Sequence, residues 1–462
     1  MTVVIVISFA LVISGKPFWV ATALNSVSSQ YPENSLLHQL SNSFNHPQAQ
    51  QHNIDELVLG SRQWLRLSRA HAKTNGETAF ALSRYFREQK QHQQAELWLG
   101  QAVRLMYPQA IEKQALTLMS DGEFAAAKTL IAKLDNKSEL FLALMLQLTI
   151  ALEQGDDIQQ NIRLLEQLNP EHELIAAARG FAIADFWQQD NMAKSDYQNK
   201  LDCATSVQFF AGSLSKLQRL TELIENINRD PFFLQEFCLF TPQYIPQSIL
   251  NCEAATSGRL VCDINALSRY RRKYAVDYIG VLSDAGRANV NHGVVYLDMQ
   301  DDADVVKHEL LHLIGFIDEY PLPKNHQVCE VKAFSAVAKN IVVDNNPRTE
   351  YPSEEDARRE VLTVVPWASL IKPTTPITQM INGTRVLGTP AKYRGEVGLF
   401  AAETCEKQGR ASFKPEHTWG LMRYNSLPLS STYQQIHANN AGKFAMKTST
   451  YQPVLQPQPT KN

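Results

Sequence analysis

The stretch Lys307–Tyr320 reads KHELLHLIGFIDEY and decides how the C-terminal half of this chain is interpreted. His308 and His312 stand four positions apart, so an α-helix places both imidazoles on one face, one above the other. Two imidazoles in that arrangement can bind one zinc ion. Glu309 follows the first imidazole, and its carboxylate can take a proton from a water that the zinc activates. The stretch therefore predicts a zinc-binding helix that carries its own general base.

A third zinc ligand is expected soon after this helix. Gly315 can take a positive φ there, end the helix and turn the chain back toward the metal. Asp318 then arrives where a ligand is needed, which gives three protein ligands and an open position for water, as catalytic zinc requires. The alternative ligand is Glu330, further along the chain, but that scheme leaves Gly315 without a role.

Length and composition set the broad class of protein. The 462 residues have room for two or three domains, and a content of 44% hydrophobic and 20% charged residues is typical of globular proteins. The 44 Lys and Arg face 47 Asp and Glu, so the net charge is −3. Because no positive excess is available to neutralise phosphates, the composition argues against a nucleic-acid partner.

One apolar stretch at the N-terminus could enter a membrane. Val3–Ile13 is too short to cross a bilayer but suits the core of a signal peptide, and Ala21-Thr22-Ala23 is a small-x-small cleavage pattern. We therefore predict a signal peptide over residues 1–23 and an exported protein, periplasmic or secreted. The alternative is an uncleaved membrane anchor that faces the periplasm, which would place Lys16 inside the bilayer.

The cysteine count fits an exported protein, because an even number outside the cytoplasm favours disulfides. The six cysteines are Cys203, Cys238, Cys252, Cys262, Cys329 and Cys405. No two of them have C-x-x-C spacing, which argues against a structural zinc site. The alternative interpretation is a set of buried free thiols.

Residues 56–235 form the first predicted folded domain, after a polar linker over residues 24–55. Apolar residues recur at helical spacing, and polar turns recur about every 34 residues, as in repeats of paired helices. The best copy, Phe80–Pro108, resembles a divergent tetratricopeptide or Sel1-like repeat. The pattern predicts an α-helical repeat solenoid that binds a partner or substrate protein, with a generic helical bundle as the alternative.

Residues 236–447 form the second predicted domain. Short β-like runs at Tyr278–Leu282 and Gly293–Leu297 are separated by a polar turn, which indicates a mixed α and β fold. Residues 448–462 contain three Pro and little apolar content, so a disordered tail is expected. The predicted fold class is therefore α plus α/β in several domains, with the helical-repeat solenoid first and an α+β zinc domain second.

This second domain resembles the IgA-peptidase-like family of secreted bacterial metzincins. The resemblance is carried by the zinc motif with Asp318, Trp367 in VPWASLI, Val397–Phe400, Cys405 and Leu421-Met422-Arg423. It covers about a third of the chain, residues 278–426, and leaves out the helical repeats. The chain departs from the family pattern at Ala401-Ala402, where an acidic-glycine pair is usual, and at Gly420, where a Cys is often found. These departures put the substrate preference in doubt rather than metal binding.

The resemblance implies a zinc peptidase of metzincin type. In such enzymes a Met lies in a turn beneath the metal, which implies that structural role for Met422. Tyr424 takes the position of a tyrosine that stabilises the oxyanion in some members. The strand Gly293–Leu297 would be the sheet edge with which an extended protein or peptide substrate pairs.

A disulfide between Cys329 and Cys405 follows if Asp318 and Met422 meet at one metal. Cys329 follows the zinc helix and Cys405 precedes the Met turn by a similar distance, so both would be led to one neighbourhood. The bridge would close a loop of about 75 residues and stabilise the fold by constraining the unfolded chain. The other four cysteines would pair among themselves, in an order that the sequence does not decide.

The leading functional prediction is an exported endopeptidase that uses Zn²⁺, with Glu309 as the general base. The first alternative is a non-catalytic repeat scaffold with a structural or degenerate zinc domain. Glu309 argues against it, since a structural site does not need that carboxylate. A second alternative is a role in cell-wall or complex assembly organised by the repeats. The sequence leaves open whether the helical region is a pro-region or a binding module.

Overall fold

The computed structural model describes residues 54–448 except 56, 188–203, 255–257, 285 and 347–348. The predicted signal peptide, nearly all of the predicted linker and tail, and Cys203 lie outside the described residues. The chain divides into two compact units, Met1–Ile175 and Ala176–Asn462.

The described part of the first unit is α-helical. Its helices are α1 (Arg62–His71), α2 (Gly76–Glu88), α3 (His92–Arg104), α4 (Pro108–Ser120), α5 (Phe124–Ile131), α6 (Glu139–Ala151) and α7 (Gly155–Leu168), and α8 (Glu173–Gly180) spans the division between the units. Local signals start several of them. Ser61 and Asn75 accept hydrogen bonds from the first turns of α1 and α2, and Pro108 opens α4. An N-terminal helical region is therefore present, while the type of repeat stays a prediction.

The core of this unit lies where consecutive helices pack. Ala79, Ala95 and Ala102 on α2 and α3 are at most 1% exposed, and these small side chains let the two helices approach closely. Leu82 and Leu99 fill the space between them. These residues recur at three- and four-residue spacing, so the helical period of the sequence predicted the buried face.

The second unit mixes helices with several small sheets. Its helices are α9 (Ile183–Phe186), α10 (Leu214–Ile227), α11 (Pro231–Glu236), α12 (Gln247–Leu250), α13 (Ile264–Tyr274), α14 (Ala303–Leu313), α15 (Glu354–Val361) and α16 (Ser431–Asn439). Its strands are β1 (Thr205–Ala211), β2 (Phe237–Leu239), β3 (Gln243–Tyr244), β4 (Glu253–Ala254), β5 (Leu260–Val261), β6 (Tyr278–Ser283), β7 (Asn289–Asn291), β8 (Val294–Asp298), β9 (Ser335–Ala336), β10 (Val342–Asp344), β11 (Thr378–Ile381), β12 (Thr384–Leu387), β13 (Phe400–Ala402) and β14 (Ala411–Lys414).

The largest described sheet has the order β2-β1-β6-β8-β7, and β3 also pairs with β1. β1, β2, β6 and β8 run parallel, whereas β7 is antiparallel to β8. In β6, Ile279 pairs with Gln208 of β1 on one side and with Val294 of β8 on the other. β8 leads directly into α14, so this sheet sets the position of the helix that carries the HELLH pattern.

The observed division differs from the predicted domain boundary at residue 235. β1 and α10, which the sequence assigned to the helical region, belong to the second unit, where β1 pairs with β6. β1 reads TSVQFFA and is almost wholly buried, so it lacks the polar-apolar alternation that marks a half-buried strand. A short buried strand of this kind cannot be told from a buried helix by its period alone.

The predicted edge strand is also wrong. β8, which contains most of Gly293–Leu297, lies between β6 and β7, and β7 is the strand at that end of the described sheet. β7 is only three residues, Asn-Val-Asn, and two of them are polar. Such a segment carries little strand signal, because asparagine is depleted in strands.

A second, antiparallel sheet has the order β13-β14-β10-β9. It packs around Trp367, which is fully buried and whose Nε1–H donates to the Gly398 carbonyl at 2.7 Å. β11 pairs with β12, and β4 pairs with β5, in two separate hairpins.

Disulfides join cysteines of the second unit. Cys329 pairs with Cys405, as predicted, and Cys252 pairs with Cys262. Cys238 is disulfide-bonded as well. No cysteine among the described residues is a free thiol, so the interpretation as inert free thiols is wrong for them.

Among the helices in the described part of the chain, none combines the length and apolar character that a bilayer crossing requires.

Candidate metal centre

α14 carries the candidate site and is held in place by its own sequence. Asp302 precedes the helix, and its Oδ1 accepts hydrogen bonds from the N–H groups of Asp304 and Val305, both at 3.0 Å. Val306 and Leu310 lie four residues apart on the buried face, each at most 1% exposed. With that face packed inward, the helix cannot rotate without exposing apolar side chains.

Three side chains of α14 converge. The ligand atoms of His308, Glu309 and His312 all lie within 4.8 Å of one another, and this group can hold a metal ion. Glu309 Oε2 lies 4.0 Å from His312 Nε2. His308 and Glu309 are 4% and 7% exposed, so the group is nearly shielded from solvent.

Asp318 reaches the same point from outside the helix. Its Oδ1 lies 2.9 Å from His308 Nε2 and 3.3 Å from His312 Nε2. Glu330, the alternative ligand, is an exposed residue. The structure thus brings Asp318 to the two imidazoles, as the spacing after Gly315 predicted.

Both imidazoles are oriented by backbone carbonyls. His308 Nδ1 lies 2.9 Å from the Leu421 carbonyl, and His312 Nδ1 lies 3.1 Å from the Phe316 carbonyl. A carbonyl only accepts, so each Nδ1 must carry a hydrogen and each neutral ring keeps its lone pair on Nε2. The two Nε2 atoms are therefore the ones available to a metal.

The turn after α14 depends on glycine. Gly315 has φ +98°, and a Cβ there would lie 2.7 Å from the carbonyl carbon of Phe444. Phe316 N–H bonds back to the Leu311 carbonyl at 3.1 Å, which closes the helix end. The glycine thus allows both the reversal and the close approach of the C-terminal segment.

The segment that contains Met422 lies against this site. Leu421 supplies the carbonyl that holds His308, and the Met422 carbonyl accepts from the Glu319 N–H at 2.9 Å. Met422 itself is 1% exposed. This segment therefore touches both the helix and the loop that brings Asp318.

Burial and charge shift the protonation of the group. Burial alone would lower the pKa of His312, but the Asp318 carboxylate beside it raises the value to about 9. Burial would raise the pKa of Asp318, yet His312 and His308 hold it well below its usual range. Burial raises the pKa of Glu309 despite the two imidazoles. Within this buried group the Asp318 carboxylate is therefore stabilised in its charged form, which can attract a cation.

The role of Tyr424 in oxyanion stabilisation stays a prediction. It is 46% exposed, and its ring lies 4.7 Å from the Arg423 guanidinium carbon. Tyr320, to which the sequence assigned no role, hydrogen-bonds to Asp318; burial and the Asp318 charge both raise its pKa. Its place directly after Asp318-Glu319 was the available signal.

Arg259 lies near the group on the hairpin that the Cys252–Cys262 bridge closes. Its positive charge lowers the pKa values of Glu309 and Tyr320, each against a larger opposing effect of burial. No local pattern pointed to this arginine, because the hairpin is brought to α14 only by tertiary packing.

No family model matches the chain, and no curated protein matches it. The resemblance to IgA-peptidase-like metzincins therefore stays a prediction.

Proposed function

We propose that this protein is a zinc-dependent endopeptidase that acts on an extracytoplasmic protein or peptide. The observation that carries the proposal is the convergence of His308 Nε2, His312 Nε2 and Asp318 Oδ1, with the Glu309 carboxylate beside them. A structural site would not need the fourth group, whereas a hydrolytic site needs a base next to an open position.

The donor set fits zinc. Ligand atoms about 2.0–2.2 Å from a tetrahedral zinc lie roughly 3.3–3.5 Å apart. Asp318 Oδ1 lies 2.9 and 3.3 Å from the two imidazole nitrogens, so a small outward shift of one side chain would accommodate the ion. Two neutral imidazoles and one carboxylate are also the ligand types of a common catalytic zinc site.

When bound, zinc would polarise the scissile carbonyl and lower the pKa of a water molecule. Glu309 would take the proton of that water and deliver it to the leaving amine, so one carboxylate serves first as base and then as acid. Leu421 and Phe316 would keep both imidazoles in the tautomer that the metal requires, through their carbonyl hydrogen bonds.

The sheet edge supports an extended substrate. β7 pairs with β8 on one side and lies at the end of the described sheet. An extended peptide could add to β7 through main-chain hydrogen bonds. In this mode the peptide backbone provides the affinity and the side chains provide the specificity. The proposed substrate is therefore an unfolded or extended segment of a protein.

The disulfides support export, since such bonds persist in oxidising compartments. The helical unit would bind a partner or the substrate protein. A non-catalytic scaffold remains the competing function.

The test uses the purified chain with stoichiometric zinc and casein as substrate. We expect one zinc per chain and hydrolysis that a chelator abolishes. Glu309→Gln should keep the zinc and lose roughly 10²- to 10⁴-fold in kcat, because the amide is nearly isosteric but cannot accept the proton. Zinc binding without any hydrolysis by the wild type would favour the scaffold instead, and full activity of Glu309→Gln would place the base elsewhere.

A further inference from the structure

Glu319, the residue directly after Asp318, is fully buried although it is a carboxylate. Its Oε1 accepts hydrogen bonds from Tyr433 O–H and from Asn340 Nδ2, the latter at 3.1 Å. Its Oε2 faces Lys414 Nζ at 3.9 Å. One side chain therefore contacts three segments that are distant in sequence.

The backbone around Glu319 is held just as closely. Glu319 N–H donates to the Met422 carbonyl at 2.9 Å, and the Glu319 carbonyl accepts from Glu403 N–H at 3.1 Å. Thr404 Oγ1 donates to the Asp318 carbonyl at 2.9 Å. The peptide groups on both sides of Glu319 thus have fixed partners.

Asn340 extends this hold to the residue before Asp318. Its Oδ1 accepts from Ile317 N–H at 3.0 Å, and its Nδ2 donates to the Ile317 carbonyl at 2.9 Å as well as to Glu319. A single buried amide side chain therefore bonds to both backbone groups of Ile317 and to the carboxylate two residues later.

Lys414 is the opposite charge in this network and is also fully buried. Its ammonium donates to the carbonyls of Glu416 and Thr418 and lies 4.4 Å from the centre of the Trp419 ring. A buried ion pair is weak evidence for stability, since desolvation often cancels its attraction. A buried pair of this kind can instead fix the position of the loop that carries Asp318 and Glu319.

We propose that Glu319 is a positioning residue for the metal centre. Through Tyr433, Asn340 and Lys414 its carboxylate fixes the loop that presents Asp318. Asp318 Oδ1 is thereby kept close enough to the two imidazole Nε2 atoms for all three to bind one metal ion. This inference rests on the proposed function, because it takes Asp318 as the third ligand. Ligand positions tolerate shifts of only about 0.2 Å, so a loosened loop should weaken metal binding before it unfolds the protein.

Glu319→Gln in the full-length chain tests the proposal. The amide must either direct its NH₂ group at Lys414 or turn it toward the Tyr433 and Asn340 donors, and both orientations break the network. We expect zinc affinity, measured by chelator competition, to fall roughly 10- to 100-fold, as for other outer partners of metal ligands. The visible absorption bands of the cobalt-substituted protein should also shift, because they report ligand geometry.

Glu354→Gln is the matched control. Glu354 also holds a loop through its carboxylate, which accepts from Ile377 N–H at 2.8 Å and from Thr378 N–H at 3.2 Å. It contacts none of the residues around Asp318 in the hydrogen bonds and ion pairs of the described chain. This variant should lower the melting temperature but leave zinc affinity and the cobalt bands unchanged.

Tyr433→Phe provides a milder second variant should Glu319→Gln fail to fold. It removes one hydroxyl from Glu319 and keeps the ring that stacks on Phe316 with centroids 5.9 Å apart. A several-fold loss of zinc affinity with shifted cobalt bands supports the proposal. Unchanged zinc affinity and unchanged cobalt bands in the folded variants would overturn the positioning role of Glu319 but not the proposed function. A wild-type protein that binds no zinc would overturn both the proposed function and the positioning role of Glu319.

Discussion

Asp318 is the residue on which the proposed ligand set depends. Asp318→Ala removes the oxygen that lies 2.9 and 3.3 Å from the two imidazoles, whereas Glu330→Ala changes an exposed side chain. We expect Asp318→Ala to lower zinc affinity by more than the roughly 10- to 100-fold that an outer partner costs, and Glu330→Ala to leave it unchanged. Equilibrium dialysis measures both. If the Asp318→Ala variant still binds zinc and the Glu330→Ala variant does not, the ligand assignment is contradicted.

Lys339 is a buried lysine that directly precedes Asn340 in the chain. Its Nζ donates to His437 Nδ1 at 2.9 Å, and His437 Nε2 lies 2.9 Å from Glu236 Oε2. Burial lowers the pKa of Lys339 to about 8, although Glu236 opposes the shift. The folded chain therefore disfavours the ammonium form relative to the unfolded chain.

The pH dependence of stability follows from that pKa. Between pH 8 and 10.5 the unfolded chain holds a proton that folded Lys339 has released, so the free energy of unfolding should rise with pH in this window. Below pH 8 the cost of burying the charge is constant. In urea unfolding, the free energy of unfolding of the wild type should rise relative to that of Lys339→Met as the pH increases from 8 to 10.5. Lys407→Met, at an exposed position, gives the baseline, and a flat difference for Lys339→Met would contradict the expectation.

At the scale of elements, the turn that ends α14 connects the helix directly to Asp318, the proposed third ligand. Gly315→Ala would place a Cβ at φ +98° and 2.7 Å from the Phe444 backbone. We expect a loss of about 2–4 kcal/mol, from the left-handed conformation and the clash together, and weaker zinc binding. Chemical unfolding and chelator competition measure the two effects.

Gly409→Ala separates the two causes. Gly409 has φ +66°, but a Cβ there would meet nothing within 4 Å, so only the backbone term of about 1–2 kcal/mol should remain, with normal zinc affinity. Equal losses in the two variants would mean that the Phe444 contact gives way at no cost.

At the scale of the whole molecule, the Cys329–Cys405 disulfide joins two segments that both follow the Gly315–Asp318 loop in the chain. Its cysteines are 76 residues apart, whereas Cys252 and Cys262 are 10 apart. In the chain-entropy model, replacing the first pair by alanine should cost about 1–2 kcal/mol more than replacing the second. Urea unfolding of the two double variants decides this, and a larger loss from the short loop would show that chain entropy does not dominate.

The Cys329–Cys405 bridge also lies next to the metal loop. Thr404, which donates to the Asp318 carbonyl, precedes Cys405 directly. The bridge therefore anchors the segment that bonds to Asp318, the proposed third ligand, and its removal should weaken zinc binding as well as folding.

The amino-acid sequence by itself determined the local features of this protein. The spacing of His308 and His312 sets their common helix face, and Gly315 permits the turn that returns Asp318. Both depend on backbone geometry within about three helical turns, which neighbouring residues dictate. The helical character of the first unit follows equally from local spacing.

Only the tertiary structure decided which distant groups complete the site. Leu421, whose carbonyl orients His308, is 113 residues away, and Asn340, which holds the metal loop, pairs with Glu319 across 21 residues. The same holds for the strand order that puts β7 rather than β8 at the edge, and for the hydrogen bond between Tyr320 and Asp318. These contacts arise when separately formed elements pack together, and no local pattern specifies which partner each element meets.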